Sequence, residues 1–345
     1  MSISLDATYS LGKNLSGVGV YSNEIMFGLA QAHETVRFQF CYRPHRFFRS
    51  LRKALPPNCS RFLLHDLWGA PPGSELFHGL NQRLPKRRPR KTVTTFHDLF
   101  VLTGEYSTAE FRARFAKQAR EAAQASDLII AVSQFTAGQV IALLGIESSR
   151  LRVIHHGVHG VECAFGQQSR EKMILHVGAI QERKNVSRLV SAFESTPSDW
   201  TLVLAGSLGY GAGKTLQRIQ SSPAKERIKL TGYIPAEDLE QLYSRASIFA
   251  FPSLDEGFGM PVLDAMARGI PVLTSNRSAL PEVAGDAAIL VDPLDGDAIQ
   301  RSLNQLIYDC RLRESMTARG LAHVHSFSWP AAIAKTWNVY KELLR

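Results

Sequence analysis

The run IFAFPSLDEGFGMPVLDAMA, residues 248–267, joins three features in one short segment. Its first residues are apolar and predict a buried strand. A glycine-rich turn follows, and Pro261 stands where the first turn of a helix tolerates proline. A strand, turn and helix in this order present backbone N–H groups and the positive end of a helix dipole to an anion, and a diphosphate would suit them.

Outward from this run, apolar β-branched segments alternate with helix-like segments along almost the whole chain, which predicts an α/β protein with parallel sheets covered by helices. In the first half the predicted strands are residues 3–6, 36–42, 76–78, 91–96, 128–132 and 151–154, with helices at 20–32 and 107–125. In the second half they are residues 173–177, 201–205, 228–230, 248–250, 271–274 and 288–290, and an amphipathic helix at 329–344 ends the chain.

A length of 345 residues suits two domains. We predict an N-terminal Rossmann-like domain over residues 1–165, a C-terminal Rossmann-like domain over residues 166–325, and a last helix in 326–345 that packs back on the first domain. Ligands bind beyond the carboxyl ends of the strands in such sheets, so two doubly wound domains facing across a cleft would place the function in their strand-end loops.

The net charge of +9 is concentrated in the first half, where residues 1–165 hold 20 Lys and Arg against 12 Asp and Glu. Two basic clusters, residues 43–53 and 86–91, account for much of it, and the first is interleaved with Phe and Leu as in interfacial segments. An anionic membrane and plain solvation of these faces both remain open. No recognition motif supports a nucleic-acid partner.

The four cysteines are scattered, with no CxxC pair and no histidine at ligand spacing, so neither a zinc site nor a disulfide framework is predicted. The first residues lack a basic and apolar leader pattern, and no segment reaches the roughly 18 apolar residues of a membrane span. We therefore expect a cytoplasmic protein, with peripheral contact at the inner face of the membrane as the alternative.

Two acidic residues belong to the opening run. Glu256 lies in the turn and Asp264 about one turn inside the helix, so both can face one ligand. Carboxylates accept hydrogen bonds from paired hydroxyls, which predicts sugar hydroxyls for Glu256 and a ribose for Asp264.

The run resembles the EGFGxPxxE signature of retaining glycosyltransferases of family four, which have the GT-B fold. The resemblance extends over nearly the whole chain. It includes Gly17-Val18-Gly19 before a helix, Phe96-His97-Asp98, Ser133-Gln134-Phe135-Thr136, His156-Gly157-Val158 in place of the usual Asn-Gly-Val, Gly178–Asn185, Gly232-Tyr233-Ile234-Pro235 and Leu280-Pro281-Glu282-Val283.

Three positions depart from the family pattern. Asp264 replaces the second glutamate of the signature, and Val20 replaces a frequent arginine after the glycine loop. Ala179 occupies a position where many members carry a phosphate-binding arginine, so we expect Arg183 and Lys184 to neutralise the diphosphate instead.

The resemblance implies metal-independent transfer with retention, without a cofactor. Arg183, Lys184 and the backbone of residues Gly257, Phe258, Gly259 and Met260 would stabilise the departing diphosphate, with Pro261 opening the helix. His97 would contact the transferred sugar or the reacting centre. Main-chain groups around Ile234 would hold the base, and the leaving phosphate would take the acceptor's proton. The donor looks most like the GDP-mannose of bacterial mannosyltransferases in cell-envelope polysaccharide assembly, and the acceptor like a glycan or lipid-linked glycan.

Several residues also have simpler interpretations. Gly17 and Gly19 could only close a turn, and a lone histidine such as His97 is more often a core or turn residue. Residues 209–215 end like a phosphate loop, but Leu208 stands where that motif requires glycine, so a flexible loop is the better interpretation.

Two other functions compete with glycosyl transfer. A nucleotide-sugar epimerase shares the architecture and would convert its donor without an acceptor. A non-catalytic partner subunit would keep the fold but lose the donor acids and phosphate cations, whereas Glu256, Arg183 and Lys184 persist in this sequence.

Overall fold

The computed structural model describes residues 1–12, 15–65, 68–87, 90–160 and 170–345, which form two compact units. The first contains Met1–Thr103, Thr108–Gly157 and Phe327–Arg345, and the second contains Gly104–Ser107 and Val158–Ser326. The predicted boundary between residues 165 and 166 lies outside the described residues, as does Cys163.

The first unit is built on a parallel sheet in the order β3-β2-β1-β4-β5-β6-β7. Its strands are β1 (Ser2–Asp6), β2 (Arg37–Tyr42), β3 (Cys59–Leu63), β4 (Leu76–Gly79), β5 (Lys91–Phe96), β6 (Leu128–Ala131) and β7 (Leu151–Val153). Its first five helices are α1 (Gly17–Ala32), α2 (Pro44–Ser50), α3 (Phe100–Thr103), α4 (Ala109–Ala125) and α5 (Gln134–Leu144). The central strands β1, β4, β5 and β6 are almost wholly buried, as expected of a parallel sheet covered on both faces.

The second unit repeats this plan with a parallel sheet in the order β10-β9-β8-β11-β12-β13. Its strands are β8 (Glu171–Val177), β9 (Thr201–Ala205), β10 (Ile228–Gly232), β11 (Ala246–Phe251), β12 (Val272–Ser275) and β13 (Ala288–Val291). Its helices are α6 (Val186–Phe193), α7 (Ala212–Gln220), α8 (Ala236–Arg245), α9 (Met260–Ala267), α10 (Leu280–Ala284), α11 (Gly296–Tyr308) and α12 (Cys310–Val324). Both strand orders are those of a doubly wound Rossmann-like sheet, which confirms the predicted fold class.

The last helix, α13 (Trp329–Leu344), belongs to the first unit and packs against α1. A Cβ on Gly28 of α1 would lie 2.1 Å from Ile333 Cδ1, so the two helices approach as closely as a glycine permits. His33 stacks on Trp337 with ring centroids 3.8 Å apart. The end of the chain therefore completes the core of the unit in which the chain begins.

The predicted secondary structure needs correction at two elements. Helix α1 begins at Gly17 and not at Val20, because the Ser16 hydroxyl accepts a hydrogen bond from Gly19 N–H and caps the helix three residues earlier. Strand β3 is absent from the prediction, because it lies at the sheet edge, is only partly buried and so lacks a continuous apolar run.

Candidate functional site

The loop between β11 and α9 contains the glycine-rich run. Gly259 ends this loop with φ +111°, a conformation that side-chain-bearing residues rarely adopt. A Cβ at this position would also lie 2.6 Å from Leu280 Cδ2. Helix α9 begins at the next residue with Pro261 in its first turn. The turn thus needs glycine for both its backbone angle and its packing, and it leads into the start of α9 without a capping side chain.

A second loop, between β8 and α6, carries Arg183 and Lys184 in a single 3₁₀ turn. Strands β8 and β11 are neighbours in the sheet, so the loops after them lie side by side. Leu254 N–H donates to the Arg183 carbonyl at 2.8 Å, and Asn185 Nδ2 donates to the Pro252 carbonyl at 3.0 Å. The two loops are therefore fixed to each other through their backbones.

Arg183, Lys184 and Glu256 meet at this junction. Lys184 Nζ lies 2.6 Å from Glu256 Oε1, and Arg183 Nη1 lies 3.0 Å from Oε2. All three side chains are at most 10% exposed. Burial alone would raise the pKa of Glu256, but the two neighbouring cations outweigh it and lower this pKa to about 2. The carboxylate is thus charged throughout the neutral pH range. It lies between two cations that could also bind an incoming anion.

Further contacts hold this cluster in place. Ser278 Oγ accepts a hydrogen bond from Glu256 N–H at 3.0 Å, and Lys184 Nζ lies 4.5 Å from the centroid of the Phe251 ring. His176 stacks on that ring, and its Nδ1 lies 3.0 Å from the Ala250 carbonyl. Sequence analysis missed Ser278 and His176, and the one available signal was the place of His176 at the carboxyl end of a predicted strand.

Asp264 lies on the first turns of α9, with 38% of its side chain exposed. Its Oδ1 is 3.7 Å from Arg268 Nη1, which also donates to the Asp264 carbonyl at 2.8 Å. Loss of solvation raises the pKa of Asp264 to about 6, against the opposing charge of Arg268. The carboxyl is therefore accessible to a ligand and gains or loses its proton near neutral pH.

The predicted base-binding position, Ile234, follows strand β10 and is half-buried. It lies after Gly232, which has φ +67° and whose carbonyl accepts a hydrogen bond from Gly206 N–H at 3.0 Å. Because all strands of this sheet are parallel, the loops after β8, β10 and β11 open on the same edge. This one edge carries every residue predicted to bind the donor in the second unit.

His97 follows β5 in the first unit and is buried. Its Nε2 lies 2.9 Å from the Leu80 carbonyl, which can only accept, so Nε2 carries the hydrogen. Burial lowers the pKa of His97 to about 4, so the ring is neutral at pH 7 and its Nδ1 is a bare acceptor. In this tautomer His97 can accept a hydrogen bond from a hydroxyl group through Nδ1.

Aromatic residues surround His97. The Tyr21 ring meets it edge-on at a centroid distance of 4.7 Å, and the His156 ring stacks over it at 5.5 Å. His156 itself packs against Trp329 of α13 at 5.9 Å. Burial lowers the pKa of His156 well below its usual value, so this ring is also neutral at pH 7. The histidine that replaces the usual asparagine thus touches the predicted sugar-binding residue.

Gly17, Val18 and Gly19 form the first turn of α1, just after β1, rather than a loop before the helix. A Cβ at Gly19 would lie 2.9 Å from the Tyr9 carbonyl, so glycine is required for packing there. Gly17 is exposed and Val18 half-buried. Since β1, β4 and β5 are adjacent and parallel, this turn and His97 lie on the same edge of the first sheet.

The lysine of the phosphate-loop-like segment has no part in these sites. Lys214, in the phosphate-loop-like segment, is exposed and pairs with Glu182 at 2.9 Å. Among the residues that the structure describes, no group of three or more His, Cys, Asp or Glu side chains could hold a metal ion. In the same part of the chain, no helix is long and apolar enough to cross a membrane.

Two family models match successive parts of the chain. Residues 16–159 match the family model described as Glycosyltransferase Family 4, and residues 164–323 match the model of Glycosyl transferases group 1. The chain is 35% identical over 284 residues to O-antigen chain mannosyltransferase B of Escherichia coli, covering 78% of this chain and 74% of that protein.

Solved structures are similar over almost the whole chain. Sucrose-phosphate synthase from Thermosynechococcus elongatus has a TM-score of 0.81 at 19% identity, covering 99% of both chains. The Anabaena protein Alr3699/HepE, in complex with UDP and glucose, has a TM-score of 0.73 at 16% identity, with 99% of both chains covered. At these identities the likeness concerns the fold alone, which is GT-B.

Proposed function

The chain belongs to glycosyltransferase family 4, and from this membership we propose that it transfers mannose from GDP-mannose with retention at the anomeric carbon. The acceptor is a glycan or lipid-linked glycan of a cell-envelope polysaccharide. Similarity to O-antigen chain mannosyltransferase B supports the choice of sugar. The main support for the proposed chemistry is that Arg183 and Lys184 both form ion pairs with Glu256 in a buried cluster beside the start of α9.

In the proposed donor complex the diphosphate takes the place of Glu256 at the two cations. Arg183 presents a planar fork of donors and Lys184 a compact charge, and the N–H groups from Gly257 to Met260 add the positive end of α9. These groups stabilise negative charge as it develops on the leaving phosphate. Glu256 is then released to accept hydrogen bonds from sugar hydroxyls.

The remaining contacts position the two ends of the donor. Asp264 accepts from the ribose hydroxyls, and main-chain groups around Ile234 hold the base. His97 accepts from a hydroxyl of the transferred sugar through Nδ1, the nitrogen that the Leu80 carbonyl leaves unprotonated. The reaction breaks the bond from the anomeric carbon to the phosphate oxygen and forms one to the acceptor oxygen, while the leaving phosphate takes the acceptor's proton. We propose that no metal takes part.

A donor panel tests the proposal. Hydrolysis and transfer are measured with GDP-mannose, GDP-fucose, UDP-glucose and UDP-N-acetylglucosamine, in the presence and absence of EDTA. We expect turnover with GDP-mannose that EDTA does not change. Turnover of a UDP sugar alone would refute the choice of donor, and loss of activity in EDTA would refute metal independence.

Lysine variants test the phosphate site. Lys184→Ala removes a buried cation from the cluster, whereas Lys214→Ala removes an exposed lysine paired with Glu182. We expect Lys184→Ala to lower kcat/KM about 100-fold or more, as expected when one donor to a developing charge is lost. The Lys214 variant should match the parent.

An acceptor-free incubation separates transfer from its alternatives. Without an acceptor, an epimerase would convert the nucleotide sugar to a new one, whereas a transferase would only release mannose slowly to water. A non-catalytic subunit would give the same background signal for the parent and for Glu256→Gln.

We further propose that the reaction takes place in the cytoplasm at the inner face of the membrane, where a lipid-linked acceptor would be presented. The excess of basic residues in the first half of the chain supports this location.

A further inference from the structure

The positive charge of the chain is confined to one segment. Residues 35–97 contain 13 Lys and Arg against two acidic residues, Asp66 and Glu75, a net charge of +11. The rest of the chain holds 27 basic and 29 acidic residues, a net charge of −2. The overall charge of +9 therefore comes from this segment, and the remainder of the chain is close to neutral.

Helix α2 presents the centre of this segment to solvent. Phe48 on α2 is 78% exposed, and Leu51, directly after the helix, is 57% exposed. Ser50 is buried and donates to the Phe47 carbonyl within the helix at 2.6 Å, and Arg61 Nε of β3 donates to the Ser50 carbonyl at 3.2 Å. A phenylalanine and a leucine that both face water add little to the folded core, and exposed apolar side chains rimmed by charged residues mark interaction sites.

Arginines flank these two apolar side chains. Arg46, Arg49 and Arg52 alternate with them along the chain, and in the part of the chain that the structure describes none of the three forms an ion pair. Their neighbours differ, since Arg43 is buried with Nε 3.9 Å from Asp6 Oδ2, and Lys53 donates to Asn23 at 2.5 Å. Of the three arginines between these two residues, Arg49 and Arg52 are exposed and Arg46 is half-buried.

The neighbouring strand end extends the same surface. Strands β2 and β3 are adjacent and parallel, and Leu64 N–H donates to the Tyr42 carbonyl at 2.8 Å, just before α2 begins. Beyond β3, Trp68 is 63% exposed. The exposed Arg87 lies beside Gly69, whose Cβ would be 2.4 Å from Arg87 Cβ. A second aromatic residue therefore follows the strand next to β2, and a fourth arginine contacts the same loop.

We propose that Arg46, Phe48, Arg49, Leu51 and Arg52, the α2 patch, dock this unit on an anionic lipid bilayer. Arginines attract an acidic surface, and each adds about a five-fold gain in binding near it. Phe48 and Leu51 enter the boundary between headgroups and acyl chains, where exposed apolar side chains are removed from water. A nucleic acid would satisfy the arginines equally well but would give an exposed leucine no comparable environment.

This inference rests on the proposed membrane location and names the surface that provides it. Binding is measured by co-sedimentation with vesicles of phosphatidylcholine alone or of phosphatidylcholine mixed with the anionic lipid phosphatidylglycerol. We expect the full chain to bind the anionic vesicles, and binding to weaken as salt rises. The triple variant Arg46→Gln, Arg49→Gln, Arg52→Gln should lose about 100-fold in affinity, as three surface charges imply.

The apolar residues have their own test. Phe48→Ala with Leu51→Ala should lower vesicle affinity at high salt, where only insertion remains. Tyr308→Ala and Arg311→Gln, exposed positions in the second unit, serve as matched controls and should bind like the parent. Substitution of exposed side chains leaves the fold intact, which the melting temperature checks.

Three outcomes would overturn the inference: equal binding to neutral and anionic vesicles, equal binding by the triple variant and the parent, or tighter arginine-dependent binding to a single-stranded oligonucleotide than to the anionic vesicles. Because the assay contains no nucleotide sugar, its failure leaves the donor proposal untouched, and failure of the donor panel leaves this one untouched.

Discussion

Lys184 donates a hydrogen bond from Nζ to Glu256 Oε1 at 2.6 Å, across 72 residues of sequence. The carboxylate proposed to bind the sugar is therefore seated on the cation proposed to bind the diphosphate. In the proposed complex the nucleotide sugar separates the two groups, so we expect the Lys184–Glu256 pair to compete with the diphosphate for the charge of Lys184.

Glu256→Gln should bind GDP more tightly than the parent while its transfer activity falls. Glutamine leaves Arg183 and Lys184 with their charges uncompensated, and we expect a gain of about 10-fold in GDP affinity by calorimetry, the scale of one lost buried charge interaction. Transfer activity should fall because the sugar hydroxyls lose the carboxylate that accepts their hydrogen bonds. Glu182→Gln, which alters only the exposed pair with Lys214, is the control. Weaker GDP binding by Glu256→Gln would show that the two do not compete.

His97→Asn should retain more activity than His97→Gln. Asparagine can place an amide oxygen near the position of Nδ1, whereas glutamine reaches the position of Nε2 beside the Leu80 carbonyl and leaves Nδ1 unreplaced. A lost hydrogen bond to a substrate hydroxyl predicts a fall of about 10- to 100-fold in kcat/KM for the glutamine variant. Equal losses in both variants would contradict the assignment of Nδ1 as the acceptor.

Binding of GDP-mannose should weaken as the pH falls through about 6. Loss of solvation raises the pKa of Asp264 to about 6. Protonation below this pH removes the negative charge and one hydrogen-bond acceptor from the carboxyl group. Asp264→Asn should bind more weakly at pH 7.5 and show no step near pH 6. GDP-mannose is preferred to GDP as the probe because its diphosphate has no terminal ionisation in this range. A step of the same size in the asparagine variant would assign the titration elsewhere.

The free energy of unfolding should fall as the pH drops from about 6.5 to about 4. Burial lowers the pKa of His97 and His176 to about 4 each, so the unfolded chain binds protons in this window that the folded chain does not. The contribution of each buried imidazole to the free energy of unfolding is complete above the pKa of histidine in the unfolded chain. It is lost as the pH falls to the pKa in the folded chain, and the loss is about 3 kcal/mol for each imidazole.

His176→Phe isolates one of these groups. Phenylalanine keeps the stacking on Phe251 but cannot take up a proton, so the slope of stability against pH should decrease by about one proton in denaturant titrations. An unaltered slope in His176→Phe would show that the fold does not lower the pKa of this histidine.

Much of the fold followed from local patterns. Lys91–Phe96 and Thr201–Ala205 are the observed bounds of β5 and β9, and the last helix is Trp329–Leu344, each as predicted. Strands buried on both faces give uninterrupted apolar runs, which a sequence displays directly. The edge strand Cys59–Leu63 gave no such signal, and the start of α1 depended on a cap at Ser16 rather than on helix propensity.

The sequence by itself determined two Rossmann-like sheets, the glycine-rich turn before α9 and the membership of a glycosyltransferase family, because each depends on residues close together in the chain. Only the tertiary structure decided that Glu256 lies between Arg183 and Lys184, that Leu80 sets the tautomer of His97, and that His156 stacks on it. These contacts join segments 17 to 73 residues apart. They arise because neighbouring parallel strands bring their carboxyl ends to one edge, an arrangement that depends on strand order and not on local sequence.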